Sequence, residues 1–504
     1  MGITKLGAKF NLTIFLIVGL LIGITTIYMD QAGILFILVF MLVLCCFLVV
    51  MKYKNDIFRT LFFSSIMHAF FFGLGSIFYF YRPHLLTRPE LKDYLIWVVL
   101  IAIIGYLFLV LGYNSKLYRI VHFPKLGAQW NGKKVLLASM AIYIGFWVYR
   151  ILLHYRLGLF FYGGTIEELT VTQGGLERFM FSFFGLFFGQ GSRGIVFILL
   201  FILFFQYFLA KKSNNVSLAR LSKIIFLIVL IIEIFISIIR GWRGFLIGSF
   251  ITVMFVINYA SGKKFSLKKA TIILLLILLF GVTIYSWSSV YRGRLMQLRI
   301  EKNDISIAEL VDLIRISTER FGELVFDQKI RNFYIDNIVV RFDRVNNLAV
   351  IVADTPEQHD YIYGKTLIFP ALFYIPRLIW TEKPIVSELI PENWFARRYG
   401  IVPSNAYNTF MSLPLVAEFY MNLGLVMVII GMFAVGVIYR MIYEFAKTNK
   451  FSPSSMLIYF IMWYEWIYLG SFLGLGSLVL DSMIRIITFV PFLWFVQRRQ
   501  LGKG

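Results

Sequence analysis

Long runs of apolar residues alternate along the chain with short polar connections. About 20 consecutive apolar residues span the hydrocarbon core of a bilayer as an α-helix, which satisfies its own backbone hydrogen bonds as lipid requires. The pattern predicts an all-α polytopic membrane protein. Its twelve predicted transmembrane helices lie near residues 10–28, 32–51, 60–81, 94–113, 135–154, 179–209, 223–239, 245–260, 270–290, 414–439, 454–473 and 478–497.

One long stretch of mixed composition, residues 291–413, divides the chain into three segments. Residues 1–290 hold predicted spans one to nine, and residues 414–504 hold spans ten to twelve. Lys5 and Lys9 precede the first span, which we interpret as a retained helix because no small-residue cleavage site follows it.

Three stretches depart from plain spans. The sixth span is longer than one straight helix needs, and the glycine-rich residues 189–194 predict a break or bend inside it. Residues 305–325 have apolar positions at helical spacing and predict an amphipathic helix on the membrane surface. Residues 367–379 are apolar but interrupted by Pro370 and Pro376, which predicts a re-entrant or interfacial segment.

The charge is unbalanced: the net charge is +22, although only 15% of residues are charged and 59% are hydrophobic. The positive-inside rule accounts for this excess. With the N-terminus in the cytoplasm, the connections that fall inside together carry +22, while residues 291–413 hold 15 Lys/Arg and 15 Asp/Glu. We therefore predict a bacterial cytoplasmic (inner) membrane protein with both termini in the cytoplasm. The long segment is then an extracytoplasmic loop. The basic connections on the cytoplasmic side face anionic membrane lipid, so the excess charge does not predict binding of nucleic acid.

Several kinds of chemistry find no support in the sequence. Cys45 and Cys46 are adjacent inside an apolar run and predict no disulfide or metal site. The five histidines are scattered, with no His/Cys cluster of the kind that binds zinc. No P-loop and no Gly-x-Ser-x-Gly motif occurs, which disfavours ATP hydrolysis and serine hydrolase chemistry. The sequence predicts neither metal nor cofactor.

Arginines near the membrane are the clearest candidates for binding residues. Arg240 and Arg243 flank Gly241 and Trp242 in a tight turn at a predicted outer end. The planar guanidinium binds phosphate oxygens in pairs, so we predict a phosphate site; the alternative is a pair of interfacial anchors. Arg193 lies inside a predicted span, where a charge is costly and indicates function.

Structural explanations remain open for some of these cations. Arg193 is equally well explained by an ion pair with Glu233 or Asp481. Arg150, at the predicted outer end of span five, is interpreted as an interfacial anchor.

The long segment contributes further candidates. Arg341 and Arg344 are three residues apart and share one face if helical. Arg377 lies in apolar surroundings and Lys383 precedes a proline. Each of these four cations can bind a diphosphate or sugar, or simply belong to a solvated face or a local ion pair.

A carboxylate and several aromatic residues complete the candidates. Glu418, near the outer start of span ten, is a candidate general base for a sugar hydroxyl, or else a partner of an arginine. Aromatic rings stack on sugars, although an interfacial aromatic belt explains most of these rings equally well. The candidate rings are Phe342, Tyr361, Tyr363, Tyr374, Trp380, Trp394 and Tyr407.

Four motifs resemble those of a known family. They are Tyr363-Gly364-Lys365-Thr366, Ile375-Pro376-Arg377-Leu378-Ile379-Trp380, Lys383-Pro384, and Glu418 with Asn422-Leu423-Gly424. Together they resemble the bacterial oligosaccharide repeat-unit polymerases, the Wzy or O-antigen polymerase class, over roughly residues 236–436. The turn at 240–244 is similar to the arginine-glycine turn of that class, but it departs from the commoner Ser-Arg-Gly form by having two arginines.

The resemblance implies a glycosyltransferase of the C type embedded in the membrane. A growing glycan on undecaprenyl diphosphate is the donor, a repeat unit on the same carrier is the acceptor, and neither nucleotide sugar nor metal is needed. Arg240, Arg243 and Glu418 are then the expected catalytic residues. Substrate and diphosphate binding fall to Arg193, Arg341, Arg344, Arg377 and Lys383. A chain-length regulator of the co-polymerase type is an expected partner, and the product is a surface polysaccharide: capsule, O-antigen or exopolysaccharide.

Three alternatives stay open. An O-antigen ligase has a similar platform and usually a histidine in the outer loop, where this chain has His359 in an unfamiliar setting. A flippase or transporter of the lipid-linked unit usually shows two similar halves, which are not evident here. A scaffold without catalysis is the third alternative, and the outward arginine turn argues weakly against it.

Overall fold

The computed structural model of the protein describes, besides isolated positions, residues 30–126, 129–157, 192–239, 244–261, 307–323, 339–368, 391–405, 411–470 and 473–497. All regular secondary structure in these ranges is helical. The helices are α1 (Gln31–Lys52), α2 (Thr60–Tyr81), α3 (Leu95–Asn114), α4 (Gly132–Leu157), α5 (Ser192–Lys212), α6 (Val216–Ile239), α7 (Gly244–Ala260), α8 (Ile307–Glu323), α9 (Asp343–Asp354), α10 (Pro391–Arg398), α11 (Leu415–Thr448), α12 (Pro453–Trp463) and α13 (Leu475–Val496). Short 3₁₀ turns cover Pro83–Leu85, Pro89–Tyr94, Leu117–Ile120 and Val340–Phe342.

Eight of the described helices are long and apolar enough to cross a membrane: α1 to α6, α11 and α13. Helix α7 is equally apolar but has 17 residues. The prediction of a polytopic helical membrane protein is therefore confirmed. Predicted span 10–28 and nearly all of span 270–290 lie outside the described residues, so the count of twelve and the glycosyltransferase C architecture stay predictions.

Each of the three special stretches is partly described. The amphipathic helix predicted over 305–325 is α8, and Leu313 on its buried side packs with Tyr291 and Leu295. Helix α5 begins at Ser192, inside the predicted break, and residues 158–191 before it lie outside the described part of the chain. The same holds for residues 369–379 of the predicted re-entrant segment.

The chain forms two compact units, each built from separate stretches of sequence. Unit 1 comprises Met1–Pro124, Val339–Thr448 and Met462–Ser482; unit 2 comprises Lys125–Ile338, Asn449–Ile461 and Met483–Gly504.

Unit 1 is organised around helices α3 and α11, which approach closely at two glycines. A Cβ atom at Gly112 would collide with the Phe433 carbonyl, and one at Gly436 would collide with the Leu109 carbonyl. Small residues of this kind let membrane helices pack backbone to backbone.

The short helix α9 brings part of the long segment into the core of unit 1. Five of its apolar side chains are at most 1% exposed, and it packs against α3 and α11. Polar residues fix its position: Asn346 exchanges two hydrogen bonds of 2.8 Å with Thr87, and Asp354 pairs with Arg88 at 2.6 Å. Residues 343–354 therefore form part of the packed core of this unit. The buried apolar side chains are Val345, Leu348, Ala349, Val350 and Ile351.

In unit 1, three helix ends that are predicted to face the cytoplasm lie close together. Arg59, before α2, donates from Nε to the Tyr113 hydroxyl near the end of α3 at 2.7 Å. Its guanidinium lies 4.4 Å from the ring centroid of Tyr443, near the end of α11. At another place, the α2–α3 connection meets α9 of the long segment through Thr87 and Arg88. This grouping agrees with the alternation of spans on which the charge argument rests.

Unit 2 contains a buried ion pair that corrects one interpretation from the sequence. Arg150 in α4 donates to both carboxylate oxygens of Glu233 in α6, at 3.1 and 3.2 Å, and the Tyr143 hydroxyl donates to the same carboxylate. The Glu233 side chain is 0% exposed and that of Arg150 10%. The interpretation of Arg150 as an interfacial anchor is therefore wrong, because a buried carboxylate holds it inside the unit.

Candidate functional site

A break in helix α11 joins two of the motifs that the sequence singled out. Leu423 and Gly424 leave the helical conformation, with φ of −156° and 61°. The break frees the carbonyl groups of Met421 and Asn422 from the helical pattern. The backbone N–H of Ile362 donates to the first at 3.2 Å, and that of Tyr363 donates to the second at 3.0 Å. Discontinuous helices of this kind often mark binding sites in membrane proteins.

The Asn422 side chain completes this junction. Its amide donates to the Thr366 hydroxyl and to the Glu418 carbonyl, both at 2.8 Å, and its oxygen accepts from the Gly364 N–H at 2.8 Å. The residue is 1% exposed, so these bonds are shielded from water. The Tyr363-Gly364-Lys365-Thr366 motif and the Glu418–Gly424 motif are thus one hydrogen-bonded element.

A cavity in unit 1 contains a buried cation. The cavity is lined by residues of α2, α3, α9 and α11 and by the segment after α12. Arg344, at the start of α9, is 0% exposed and lies over the ring of Phe71, 3.0 Å from its centroid. Burial lowers the pKa of Arg344 to about 9, an effect that the nearby Asp343 carboxylate partly opposes, so the guanidinium stays charged at neutral pH.

Two π-helical segments border this cavity. Ala69–Leu74 interrupts α2 and contributes Phe71 and Phe72 to the wall, and Tyr464–Leu469 follows α12 and contributes Ile467. π-Helical turns are rare and occur frequently at functional sites. The space open to water-sized molecules is about 30 Å³, roughly enough for two waters.

His68 presents a proton acceptor to the same cavity. Its Nδ1 lies 3.0 Å from the Ser64 carbonyl, and since a carbonyl only accepts, Nδ1 carries the proton of the neutral ring. The Nε2 atom then has a lone pair, and it is buried without a hydrogen-bond partner among the described residues. Buried polar atoms without partners are uncommon in native structures and call for an explanation.

Two buried carboxylates hold the start of helix α13. Glu418 accepts from the Leu475 N–H at 2.6 Å, while Glu392 accepts from the Gly474 N–H at 2.6 Å and the Ser477 hydroxyl at 2.9 Å. Negative groups are favourable at a helix N-terminus because of the helix dipole. Burial raises the pKa of Glu392 to about 8, which these hydrogen bonds only partly offset.

The structure describes two of the predicted site residues in full. Arg344 is fully buried, so the alternative of a solvated face is wrong for it. Glu418 is also fully buried, its Oε1 has no hydrogen-bond partner among the described residues, and it is not one of the residues lining the Arg344 cavity. The carboxylate bond that the structure gives Glu418 comes from a backbone amide rather than an arginine.

Of the six remaining predicted residues, two are described in their backbone only and four are not described. Arg193 lies near the start of α5 and Arg341 lies in the 3₁₀ turn before α9, with side chains outside the described atoms. The other predicted cations, Arg240, Arg243, Arg377 and Lys383, lie outside the described residues.

The candidate aromatic rings include one buried ring, three with exposed surface and three outside the described residues. Phe342 is 4% exposed and packs on Phe70 and Phe78, so its predicted place in a saccharide groove is wrong. Tyr361, Tyr363 and Trp394 keep exposed surface, while Tyr374, Trp380 and Tyr407 lie outside the described residues.

Sequence reasoning missed two residues of unit 1. His68 was only one of five scattered histidines, although it lies two residues before a run of three phenylalanines inside a predicted span. Glu392 follows Pro391 and has the acidic position typical of a first helical turn. Among the described residues, no group of three or more His, Cys, Asp or Glu side chains is placed to hold a metal ion.

The described helices define the class: an all-helical polytopic membrane protein whose long segment is partly packed into a helical unit. The chain belongs to a family known as a domain of unknown function, DUF8712, whose profile matches residues 189–465, more than half of the chain. The matched residues include Arg344, Glu418 and Asn422 but not His68. No curated protein and no solved structure matches the chain.

Proposed function

We propose that the chain is a membrane glycosyltransferase that polymerises lipid-linked oligosaccharide repeat units into a surface polysaccharide. Its substrates are carried on undecaprenyl diphosphate, and the reaction takes place at the outer face of the bacterial cytoplasmic membrane. The observation that carries the proposal is Arg344, a fully buried cation that the long segment delivers to a cavity among membrane helices. Buried charges in membrane proteins mark functional sites because they are costly to retain.

The proposed reaction transfers the growing glycan from one lipid carrier to the other. The hydroxyl oxygen of the acceptor sugar attacks the anomeric carbon of the donor, and the bond from that carbon to the diphosphate oxygen breaks. The hydroxyl proton passes to a base, and undecaprenyl diphosphate leaves with the bonding electron pair. Negative charge therefore grows on the diphosphate in the transition state, where a preorganised cation lowers the barrier. Arg344 is assigned this role because its guanidinium stays charged and can bind two phosphate oxygens.

Two groups are candidates for the proton acceptor. Glu418 Oε1 and His68 Nε2 are both buried and without hydrogen-bond partners among the described residues. Glu418 also holds the start of α13 through its other oxygen, so its loss affects both stability and chemistry. The pH dependence of the reaction rate distinguishes the two candidates. The variant that removes the proton acceptor, Glu418→Gln or His68→Gln, is expected to change this dependence, and the other variant is expected to keep it.

The cavity must open before it can accept a diphosphate, because its described volume admits only water. The π-helical segments Ala69–Leu74 and Tyr464–Leu469 are the proposed points of opening, since both border the cavity and π-helical turns occur frequently at functional sites. A chain-length regulator is the proposed protein partner.

The test is reconstitution of the full chain in liposomes with a radiolabelled lipid-linked repeat unit extracted from the source cells. Nucleotide and metal are left out, and products are separated on a gel. The wild type is expected to give a ladder. Arg344→Met is expected to lose roughly 100-fold in rate, the size typical for removing one transition-state donor, and Arg344→Lys to keep part of the activity.

A control and three contrary outcomes make this test decisive. Arg119→Met removes an exposed cation of unit 1 that is distant from Arg344 in sequence, and it is expected to leave the ladder unchanged. Movement of the intact unit across the bilayer without a ladder would indicate a flippase. Single transfer to added lipid A core would indicate a ligase, and an unchanged ladder in Arg344→Met would remove Arg344 from the mechanism. Alanine variants of Arg240, Arg243, Arg377 and Lys383 belong in the same assay.

A further inference from the structure

The turn formed by residues 361–365, called here the Tyr363 turn, has an unusual conformation. Tyr363 has φ of 47° and Gly364 has φ of 85°. A non-glycine residue with positive φ is uncommon, and it is retained where its surroundings fix it, often at a functional site. The Tyr363 side chain is 73% exposed, so burial of the ring does not explain this conformation.

Hydrogen bonds to Asn422 fix the backbone of the turn. The Tyr363 N–H donates to the Asn422 carbonyl at 3.0 Å, and the Gly364 N–H donates to the Asn422 side-chain oxygen at 2.8 Å. Behind the turn, a Cβ at Gly424 would meet the Tyr361 hydroxyl at 2.8 Å, so the helix break fits against this tyrosine. An exposed ring on a fixed backbone binds a ligand with little loss of conformational entropy.

Charged residues lie within and directly before the turn. Lys365 is exposed two residues after Tyr363. Arg398 donates to the carbonyl of Asp360, the residue before the turn, at 2.8 Å, and its guanidinium lies 5.1 Å from the ring centroid of Trp394. Rings combined with hydrogen-bonding groups suit a sugar, which has apolar C–H faces and a rim of hydroxyls.

Apolar side chains continue this surface along α11. Leu423, Leu425 and Val426 follow directly after Asn422 and are 40%, 40% and 56% exposed. They lie on a helix that is long and apolar enough to span the membrane. The Tyr363 turn therefore lies where an apolar surface meets a polar one.

We infer that the Tyr363 turn binds the head of a lipid-linked saccharide: the first sugar stacks on Tyr363, the phosphate contacts Lys365, and the polyprenyl chain lies along Leu425 and Val426. The substrate class rests on the proposed function, but the site is separate from the Arg344 cavity. It is favoured over a simple membrane anchor because an anchor needs neither a fixed left-handed backbone nor neighbouring charges.

Binding is measured without turnover, on the full chain in nanodiscs. The probes are the radiolabelled lipid-linked repeat unit from the source cells and undecaprenyl diphosphate without sugar. Tyr363→Asn removes the ring but tolerates the left-handed conformation, so the turn is kept. We expect it to bind the sugar-bearing lipid roughly tenfold more weakly and undecaprenyl diphosphate unchanged.

Further variants separate the contributions. Tyr363→Phe keeps the ring and is expected to bind as the wild type does, while Lys365→Gln is expected to weaken both probes. Tyr81→Ala removes another ring that is 67% exposed, at the end of α2, and serves as the matched control.

Three outcomes overturn the inference. Equal weakening of both probes by Tyr363→Asn would make the ring a lipid anchor, and no effect, or the same effect in Tyr81→Ala, would remove it as a binding residue. Failure of the proposed function looks different: binding that depends on Tyr363, without a product ladder from the reconstituted wild type, keeps the site and rejects polymerisation.

Discussion

Truncation of Asn422 tests the junction between the helix break and the Tyr363 turn. The side chain makes three hydrogen bonds, to Gly364, Thr366 and Glu418, and is 1% exposed. A lost hydrogen bond costs about 1 kcal/mol, and a buried donor left unpaired costs about 1–3 kcal/mol. We therefore expect the free energy of unfolding to fall by about 3 kcal/mol, because the Gly364 N–H loses its acceptor and two further bonds are lost.

The assay uses the two cysteines of the chain as reporters. Cys45 and Cys46 are 5% and 1% exposed in α1, so a thiol-reactive dye reports thermal unfolding of the full chain in detergent. Asn114→Ala is the matched control, because Asn114 also donates to a backbone carbonyl but is exposed. It is expected to change stability by less than about 0.5 kcal/mol.

A second readout reports on the turn itself. Below the unfolding midpoint, Asn422→Ala is expected to be cleaved faster by added protease within residues 355–368, since the turn has lost its support. A midpoint for Asn422→Ala indistinguishable from that of Asn114→Ala would refute the reasoning. The hydrogen bonds would then contribute nothing measurable, and the two motifs would not form one structural element.

Three further changes test other parts of the fold. Arg150→Met and Glu233→Gln each leave a buried charge and are expected to cost about 3–5 kcal/mol, while the double variant recovers much of the loss in a thermal unfolding assay. The pKa of Glu392 is raised from 4.5 to about 8, so the folded state binds its proton more tightly; wild-type stability should fall as pH rises from 4.5 to 8, and Glu392→Gln should flatten this slope. Gly436→Ala places a Cβ against a backbone carbonyl of α3 and should abolish the monodisperse peak in size-exclusion chromatography. Gly105→Ala, which meets only side chains at 3.3 Å or more, should keep that peak.

The spans were predictable because their signal is local. An apolar run of sufficient length is unfavourable in water because of its side chains, and in lipid its backbone must pair within the helix, whatever the helix packs against. Helix α8 was predictable for a related reason, since its apolar spacing is contained within 17 residues. In α11 the helix continues to Thr448, beyond the predicted end, and an i,i+4 ion pair between Arg440 and Glu444 at 2.6 Å contributes to its polar last turns.

The burial of α9 was not predictable from its own residues. Asp343–Asp354 contains two asparagines, an arginine and two aspartates among its twelve residues, so its own pattern predicts a helix with one polar, solvated face. Its partners, Thr87, Arg88 and the Ser412 carbonyl, are distant in sequence. The break in α11 had a local signal in Asn422-Leu423-Gly424, but the docking of residues 361–366 onto it depends on contacts that one sequence does not reveal.

The polar groups in the core of unit 1 fall into two kinds, and the difference bears on function. Asn346 and Asn422 have their hydrogen bonds satisfied, so they fix the long segment in place without leaving an unpaired group. The Nε2 atom of His68 and the Oε1 atom of Glu418 are buried without hydrogen-bond partners among the described residues. An unsatisfied buried group lowers stability by about 1–3 kcal/mol, and an apolar side chain of similar shape would avoid this loss. Groups of the first kind are explained by folding alone, whereas the second kind comprises the two candidate proton acceptors of the proposed reaction, which lie at separate places in the unit.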